Sequence, residues 1–162
     1  MPVVLVRIDD RLVHGQVVES WIPFVEAEWV LVVSDAVASD PTQRILMRLA
    51  LPENVGLEVL SVEQAGPRVT ELDRAPERVL ILAPSPREVL ALLRAGAGFQ
   101  AVNVGGVYYS VGQVHLGKLV YLAAEDQAAL QGIADLGITI EGQRVPSEKK
   151  INLAEFVVQL QG

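Results

Sequence analysis

Several residue types that indicate particular chemistries are missing from this 162-residue chain or scarce in it. The chain has no cysteine, which excludes disulfides, thiol nucleophiles and iron–sulfur clusters. Its only histidines are His14 and His115, so neither a histidine-rich metal site nor a cofactor is predicted. Aromatic residues make up 5% of the chain, so small and branched aliphatic side chains are expected to fill the core.

Basic charge and membrane signals are scarce as well. Thirteen lysines and arginines stand against 20 acidic residues, for a formal net charge of −7, which argues against binding to nucleic acid or anionic lipid. No apolar run reaches the roughly 18 residues that a membrane span requires, and no signal-peptide pattern begins the chain. We therefore expect a cytoplasmic protein with no direct membrane insertion. A mean hydropathy of +0.35 is compatible with a homodimer.

The chain is rich in short β-branched segments that alternate with segments of helical periodicity. Because the strand segments are too apolar to face water on either side, the alternation predicts an α/β fold with an open, mostly parallel β-sheet covered by helices on both faces. No linker or internal repeat divides residues 1–162, so a single domain is predicted. The predicted strands are 2–8, 29–33, 56–60, 78–82, 100–104, 118–122 and 138–141.

Capping residues and prolines indicate where several helices begin and end. Asp40-Pro41 supplies an N-cap and a first-turn proline, and Ser85-Pro86-Arg87-Glu88 adds a capping box to the same arrangement. Gly96 is expected to end the helix that follows. Gly66-Pro67 is expected to interrupt any helix over residues 62–72.

The loops that follow the strands are the predicted location of a ligand site, because sheets of this kind bind ligands at the carboxyl ends of their strands. The loops after the first, second, fourth and fifth strands have the sequences DDRLVHG, SDAVASD, APSPRE and GGVYYSVG. The first of them contains His14 among charged residues. Its position makes it the first candidate for a functional site.

His14 has the surroundings expected of a nucleophilic imidazole. It is predicted to lie at the start of a helix, where free backbone N–H groups favour an anion and disfavour a charged imidazole. A neutral imidazole is a nucleophile. Gly15 then lets a phosphate approach the backbone without meeting a Cβ atom.

The charged residues around His14 complete the parts of a phosphohistidine site. Arg7 and Arg11 can hold a phosphoryl group through their forks of N–H donors. Asp9 or Asp10 can accept a hydrogen bond from the second ring nitrogen and so fix the tautomer. The segment therefore predicts phosphoryl transfer through His14.

The same residues have an ordinary structural interpretation. Two aspartates before a helix are a common cap, arginine–carboxylate pairs are common at surfaces, and a loop histidine is often only solvated. Gly105-Gly106 is either a loop for phosphate approach or a simple turn. His115 has no acidic residue within five positions and is the weaker candidate of the two histidines.

Longer motifs connect the chain with a known family. Residues 7–17, RIDDRLVHGQV, closely resemble the active-site segment of the mannose-type (mannose, fructose, sorbose) enzyme IIB components of the bacterial sugar phosphotransferase system (PTS). The resemblance covers essentially the whole chain. It continues through VLVVSD with the helix led by Asp40-Pro41, the strand RVLIL, and AVNVGGV at 101–107, which is similar to the family's Ser-Val-Asn-Val-Gly-Gly-Met.

This resemblance implies a phosphocarrier of the sugar phosphotransferase system. The histidine matching His14 would receive a phosphoryl group, as a pros-phosphohistidine intermediate, from a phosphorylated IIA protein or domain. It would pass the group to a hexose-type sugar that arrives through the membrane IIC and IID subunits. Arg11 and the neighbouring acids would shape the phosphate pocket, and Arg7 would assist from the end of the strand.

Two segments depart from the family pattern where a partner or sugar would be met, at 83–86 and 107–113. Contact with IIA is expected at Arg11, Trp21 and Tyr108-Tyr109 if these residues are exposed near His14.

The chain lacks the residues that two other functional classes require. A phosphoaspartate receiver needs an aspartate after the third strand and a lysine after the fifth, where this chain has Leu60-Ser61 and Gly105-Gly106. A dinucleotide-binding domain needs G-x-G-x-x-G after the first strand, and DDRLVHG stands there instead. The alternative that stays open is a IIB-like regulatory module whose phosphorylation on His14 signals carbon supply without transporting sugar.

Overall fold

The computed structural model describes residues 2–109 and 123–154, and the predicted alternation of strands and helices is confirmed there. A π-helical turn, Val17–Trp21, precedes α1, and a 3₁₀ turn, Gly106–Tyr108, follows β5. The predicted strand at 118–122 and His115 lie outside the described residues. The strands are β1 (Val3–Ile8), β2 (Trp29–Val33), β3 (Gly56–Leu60), β4 (Val79–Ala83), β5 (Ala101–Val104), β6 (Thr139–Gly142) and β7 (Ile151–Asn152). The helices are α1 (Ile22–Val25), α2 (Asp35–Ala38), α3 (Pro41–Ala50), α4 (Val62–Leu72), α5 (Pro86–Arg94) and α6 (Ala124–Asp135).

The described strands form one sheet in the order β3-β2-β4-β1-β5-β6-β7. The neighbouring pairs are parallel from β3 to β6, and β7 pairs antiparallel with β6. β1 is therefore central, with β4 and β5 on its two sides. Since parallel strands end at the same edge, the loop containing His14 lies beside the loops after β5 and β6.

Apolar side chains cover both faces of the sheet. Successive residues of β2 point to opposite faces, so Leu31 and Val33 enter one apolar cluster while Val30 and Val32 enter the other. Helices α4, α5 and α6 pack on the first face, and the π-helical turn with α1, α2 and α3 packs on the second. This arrangement confirms the predicted α/β class. Within the described part of the chain, no helix has both the length and the apolar character that crossing a bilayer requires.

Helix α4 contradicts the expected interruption at Gly66-Pro67. The helix is continuous over Val62–Leu72 with Pro67 inside it. Its first turn is fixed by a capping box in which Ser61 and Gln64 each accept a backbone N–H hydrogen bond from the other. Pro67 lies on the exposed side, so the carbonyl that lacks its helical donor faces solvent, and burial of the opposite face maintains the helix.

The other capping predictions have mixed outcomes. Asp40 caps α3 by accepting from the backbone N–H groups of Thr42 and Gln43, as predicted. Gly96 ends α5 with φ +104, a conformation that favours glycine. The predicted capping box at Ser85 is wrong, because its hydroxyl donates to the Glu88 carboxylate instead of accepting from a backbone N–H.

Candidate functional site

The loop after β1 turns sharply at Leu12, whose φ is +56. The backbone N–H of Leu12 donates to the Asp9 carbonyl (3.0 Å) and closes the turn. A left-handed leucine is unfavourable by itself, but its side chain is 4% exposed and joins the apolar cluster of the second face. Burial of Leu12 therefore fixes the loop shape that precedes His14.

His14 lies just before the π-helical turn, and its carbonyl accepts from the N–H of Val18 at 3.0 Å. The ring atom Nδ1 is 2.8 Å from the Leu12 carbonyl. Because a carbonyl only accepts, this hydrogen bond requires a proton on Nδ1. The other nitrogen, Nε2, is buried, lies 3.8 Å from Asp9 Oδ2, and has no hydrogen-bond partner among the described residues. The His14 side chain is 17% exposed.

Asp9, at the end of β1, is the carboxylate beside the imidazole, and it is fully buried. Oδ1 accepts from the Arg11 backbone N–H and from Arg11 Nε, each at 3.1 Å. Oδ2 accepts from Arg11 Nη2 at 3.1 Å and from Arg7 Nη2 at 3.3 Å. Burial alone raises the pKa of Asp9, but the Arg11 hydrogen bonds and the charge of Arg7 outweigh it, so the pKa lies below its ordinary value. The structure therefore holds a buried, charged carboxylate next to His14.

Asp9→Asn should remove part of the acid sensitivity of folding. Because the pKa of folded Asp9 is below 3.8, its usual value, its ionic stabilisation is fully present above that pH. The stabilisation is lost as the pH falls through the lower folded pKa. Urea unfolding across this range should show the free-energy difference between wild type and variant shrinking at acid pH. Glu53→Gln, at an exposed position, serves as control, and an Asp9 difference that does not change with pH would contradict the prediction.

Arg7 occupies a position that its predicted role did not anticipate. Its side chain is 0% exposed and lies over the Trp21 ring, with Cζ 4.6 Å from the ring centroid. Nη1 donates to Asn103 Oδ1 and to the Gln143 carbonyl (2.9 Å). Burial lowers the pKa of Arg7, and Asp9 partly offsets this effect. Arg7 presents no surface to a phosphoryl group, so the predicted phosphate contact is replaced by a structural role in holding Asp9.

Arg11 is the arginine of the segment that reaches solvent. Its side chain is 42% exposed, and its hydrogen bonds with Asp9 raise its pKa. Nη2 also donates to Gln16 Oε1 at 3.1 Å. Nη1 has no partner among the described residues. Gly15, between His14 and Gln16, is exposed, and an added Cβ would meet no atom within 4 Å. Open space therefore lies beside Arg11 and Gly15.

Asp10 does not lie beside the imidazole. Its Oδ1 accepts from the backbone N–H of Val107 at 2.8 Å, so it fixes the turn after β5. Of the two aspartates predicted to orient the ring, the one in contact distance is Asp9. Asp10 instead connects the His14 loop to its neighbour at the same edge of the sheet.

Gly105-Gly106 is explained by packing against the charged cluster. A Cβ at Gly105 would overlap the Arg7 guanidinium, and one at Gly106 would overlap the carboxylates of Asp9 and Asp10. Gly106 also has φ +62. Both positions therefore require glycine because charged side chains approach their backbone, and this packing accounts for the motif as a close turn.

The structure adds residues to the site that the sequence analysis missed. Asn103 and Gln143 are buried and hydrogen-bonded to each other (3.1 Å), and both hold Arg7. Arg144 brings its carbonyl to Arg7 Nη2 and Trp21 Nε1, each at 3.2 Å. The signal for Asn103 was an amide inside the apolar strand AVNV. Gln143 and Arg144 follow β6, whose loop was not among those predicted to matter.

The aromatic residues proposed for partner contact are buried. Trp21 is 2% exposed, and Tyr108 and Tyr109 are 9% and 4% exposed. Burial raises the pKa of Tyr108 to about 12, and burial together with Glu148 raises that of Tyr109. Of the residues suggested for contact with IIA, the exposed one is Arg11. The aromatic side chains instead form part of the support beneath the site.

Residues 2–109 and 123–154 contain no group of three or more histidine, cysteine, aspartate or glutamate side chains placed to hold a metal ion.

Comparisons with known proteins agree over nearly the whole chain. Residues 3–161 match the sequence model of the family described as PTS system sorbose subfamily IIB component. The chain is 34% identical over 155 residues to N-acetylgalactosamine-specific phosphotransferase enzyme IIB component 2 of Escherichia coli K12, covering 96% of this chain and 98% of that protein. It is 32% identical over 157 residues to the sorbose-specific EIIB component of Klebsiella pneumoniae, covering 97% and 96%.

A solved structure is similar at the level of the whole fold. The crystal structure of the IIBSor domain of the sorbose permease from Klebsiella pneumoniae superposes with a TM-score of 0.84 at 31% identity. The match covers 98% of each chain.

Proposed function

Since the chain belongs to the PTS IIB components of the sorbose subfamily, which take part in sugar phosphotransfer, we propose that it carries the phosphoryl group on His14. The observation that supports this proposal is the placement of the His14 ring. It lies in the loop after the central strand, between a charged carboxylate and a backbone carbonyl, and that same carboxylate binds the exposed guanidinium of Arg11.

The proposed acceptor atom is Nδ1, which gives a pros-phosphohistidine. Asp9 is close to Nε2 and favours a proton there, and a neutral ring with its proton on Nε2 has a free lone pair on Nδ1. Before transfer, Nδ1 must therefore lose its proton to solvent while Nε2 takes up a proton from solvent, which breaks the resting contact with the Leu12 carbonyl and lets Nδ1 face the donor. The P–N bond in the donor then breaks as the bond from Nδ1 to phosphorus forms.

Arg11 and the beginning of the helix supply the charge stabilisation that the transfer needs. Phosphoryl transfer depends mainly on in-line positioning and on stabilising the equatorial oxygens. Arg11 offers a guanidinium whose charge is partly balanced by Asp9. A phosphocarrier must also release its group, and this partial balance prevents the pocket from holding the phosphate too strongly. Arg7 acts beneath the site as a positioning residue for Asp9.

The proposed donor is a phosphorylated IIA protein or domain in the cytoplasm. The proposed acceptor is a hexose-type sugar at membrane IIC and IID subunits. The two relatives described above have names that specify different sugars, sorbose and N-acetylgalactosamine. The acceptor sugar is therefore proposed as a class and not as one compound.

Phosphorylation by a IIA donor tests this function. The chain is incubated with phosphorylated IIA protein, and intact mass spectrometry is expected to show one acid-labile phosphoryl group. A ³¹P spectrum then distinguishes Nδ1 from Nε2. Membranes containing IIC and IID with a hexose should discharge the group. If the chain accepts no phosphoryl group from IIA, the proposal is contradicted. If it accepts the group but does not pass it to the hexose, the result supports the regulatory alternative.

Gly15→Ala should slow transfer without weakening the fold. The added methyl enters open space, so the free energy of unfolding should change by less than about 1 kcal/mol. The same methyl would narrow the approach of a phosphate to the backbone, and we expect the phosphorylation rate to fall several-fold. Gly98→Ala is the matched control, because its Cβ also meets no atom within 4 Å. Equal rates in the two variants would show that phosphate does not approach at Gly15.

A further inference from the structure

A cleft of about 290 Å³ lies between the His14 loop and the loop after β6. Asp10, Arg11 and Gln16 line it from the first loop, and Arg144 lines it from the second. Gly106 and Tyr109, after β5, complete this part of the lining. The cleft therefore brings a second arginine, from a distant part of the sequence, to the open space beside Arg11.

Hydrogen bonds of Arg7 connect the backbone of Arg144 to the Asp9 carboxylate, which lies beside the imidazole. Its carbonyl accepts from Arg7 Nη2 at 3.2 Å, and the same Nη2 donates to Asp9 Oδ2 at 3.3 Å. That oxygen lies 3.8 Å from His14 Nε2. Trp21 Nε1 also donates to the Arg144 carbonyl at 3.2 Å. The side chains of Arg7 and Asp9 thus lie between the main chain at Arg144 and the His14 ring.

The Arg144 side chain is anchored at its stem and open at its end. Its Nε is 2.7 Å from Glu148 Oε2, and Glu148 Oε1 accepts from the Tyr109 hydroxyl at 3.3 Å. The Tyr109 ring packs where Gly142 has no Cβ. The side chain of Arg144 is 60% exposed, and its two terminal nitrogens have no partner within residues 2–109 and 123–154. Both nitrogens are available to an anion.

We propose that Arg144 is a second phosphate-binding residue, which together with Arg11 holds the phosphoryl group during transfer to His14. The proposal rests on the function proposed above. A phosphoryl group has three oxygens with shared charge, and guanidinium forks on two sides contact more of them than one fork can. Arg7 cannot supply the second fork because it is fully buried and its two terminal nitrogens donate to Asn103, Gln143, Asp9 and Arg144 inside the protein.

Rates of phosphorylation from two donors test this assignment. Each protein is phosphorylated by a phosphorylated IIA protein and, separately, by phosphoramidate, a small donor with no protein surface. The proteins compared are wild type, Arg144→Ala, Arg144→Lys and Arg94→Ala. Arg144→Ala should be about tenfold slower with both donors, since a charge-assisted contact to the transferred group is lost. Arg144→Lys should recover part of the rate. Arg94 is exposed in the last turn of α5, at the opposite edge of the sheet, and its variant should match wild type.

The outcomes separate the possible failures. If Arg144→Ala lowers the phosphorylation rate with the IIA donor alone, Arg144 is a protein-docking residue and the phosphate assignment is overturned. An unchanged rate for Arg144→Ala with both donors also overturns the assignment. If Arg144→Ala does not fold, Glu148→Gln replaces it. That variant releases the Arg144 side chain from its contact with Glu148, and it should lower the phosphorylation rate with both donors by a smaller factor. An unchanged rate contradicts the proposal. Absence of labelling in wild type, or labelling of His14→Gln, would instead reject the proposed function itself.

Discussion

His14→Gln is expected to reduce phosphoryl uptake from the IIA donor to the limit of detection. Glutamine is a neutral polar side chain of similar size, and its amide group lies near the position of Nε2 and not of Nδ1. An amide nitrogen has no available lone pair, however, and cannot attack phosphorus. Intact mass spectrometry should therefore show no phosphoryl group on the variant under conditions that label wild type completely.

The stability of the same variant distinguishes chemistry from folding. His14 is part of a loop and has one hydrogen bond from its ring, so the free energy of unfolding should change by about 1 kcal/mol or less. His115→Gln is the matched control and should still be labelled. Labelling that persists in His14→Gln would reject the site, whereas a large loss of stability would favour the structural interpretation of this histidine.

Arg7→Met should have the largest effect on stability, a loss of about 3 kcal/mol or more in the free energy of unfolding. Methionine keeps most of the side-chain volume and its contact with the Trp21 ring. It removes the donors to Asn103 Oδ1 and to the carbonyls of Gln143 and Arg144. The Asn103 and Gln143 acceptors then lack this partner away from water, while the Arg144 carbonyl keeps the Trp21 Nε1 donor. Asp9 loses the cation that is buried beside it. Urea unfolding at neutral pH measures the loss.

Two further variants show whether buried charge is the cause. Arg11→Met makes the same substitution at a side chain that is 42% exposed, where water can replace the lost donors. Its effect should be about 1 kcal/mol or less. The double variant Arg7→Met/Asp9→Asn should lose less than the sum of its single variants, because it leaves no unpaired buried carboxylate. Equal losses for Arg7→Met and Arg11→Met, or strict additivity, would contradict this explanation.

The sequence predicted the fold class because the strands are nearly continuous apolar segments. Such segments cannot face water, so they required helices on both sides, and β4 is indeed buried along its whole length. Local capping signals were less secure, since they depend on which of several nearby groups accepts a hydrogen bond. Asp40 caps its helix as predicted, but the Ser85 hydroxyl turns to Glu88, and α4 continues through Pro67 because its opposite face is buried.

The position of the candidate site at the carboxyl edge of the sheet was also predictable from the sequence. A polar segment directly after the first apolar strand must lie at the carboxyl edge of a parallel sheet, and its residues RIDDRLVHG indicated an anion and a nucleophile. The packing of the Gly105-Gly106 turn was not predictable, because the atoms that exclude a side chain there belong to Arg7, Asp9 and Asp10. Contacts of this kind depend on which strands are neighbours in the sheet.

The sequence by itself determined that this protein is an α/β domain with a charged, histidine-containing loop after its first strand, because periodicity and composition are local properties of the chain. Only the tertiary structure decided which charges are buried and which reach solvent. Arg7 and Arg11 are the same residue type four positions apart, yet strand packing buries the first while the loop exposes the second. Arg144 comes to the site from 137 residues beyond Arg7, because β6 joins the sheet next to β5 and ends at the same edge. Which side chains are buried, and which distant residues come close to each other, depend on the packing of the whole sheet, and no single segment of the sequence specifies that packing.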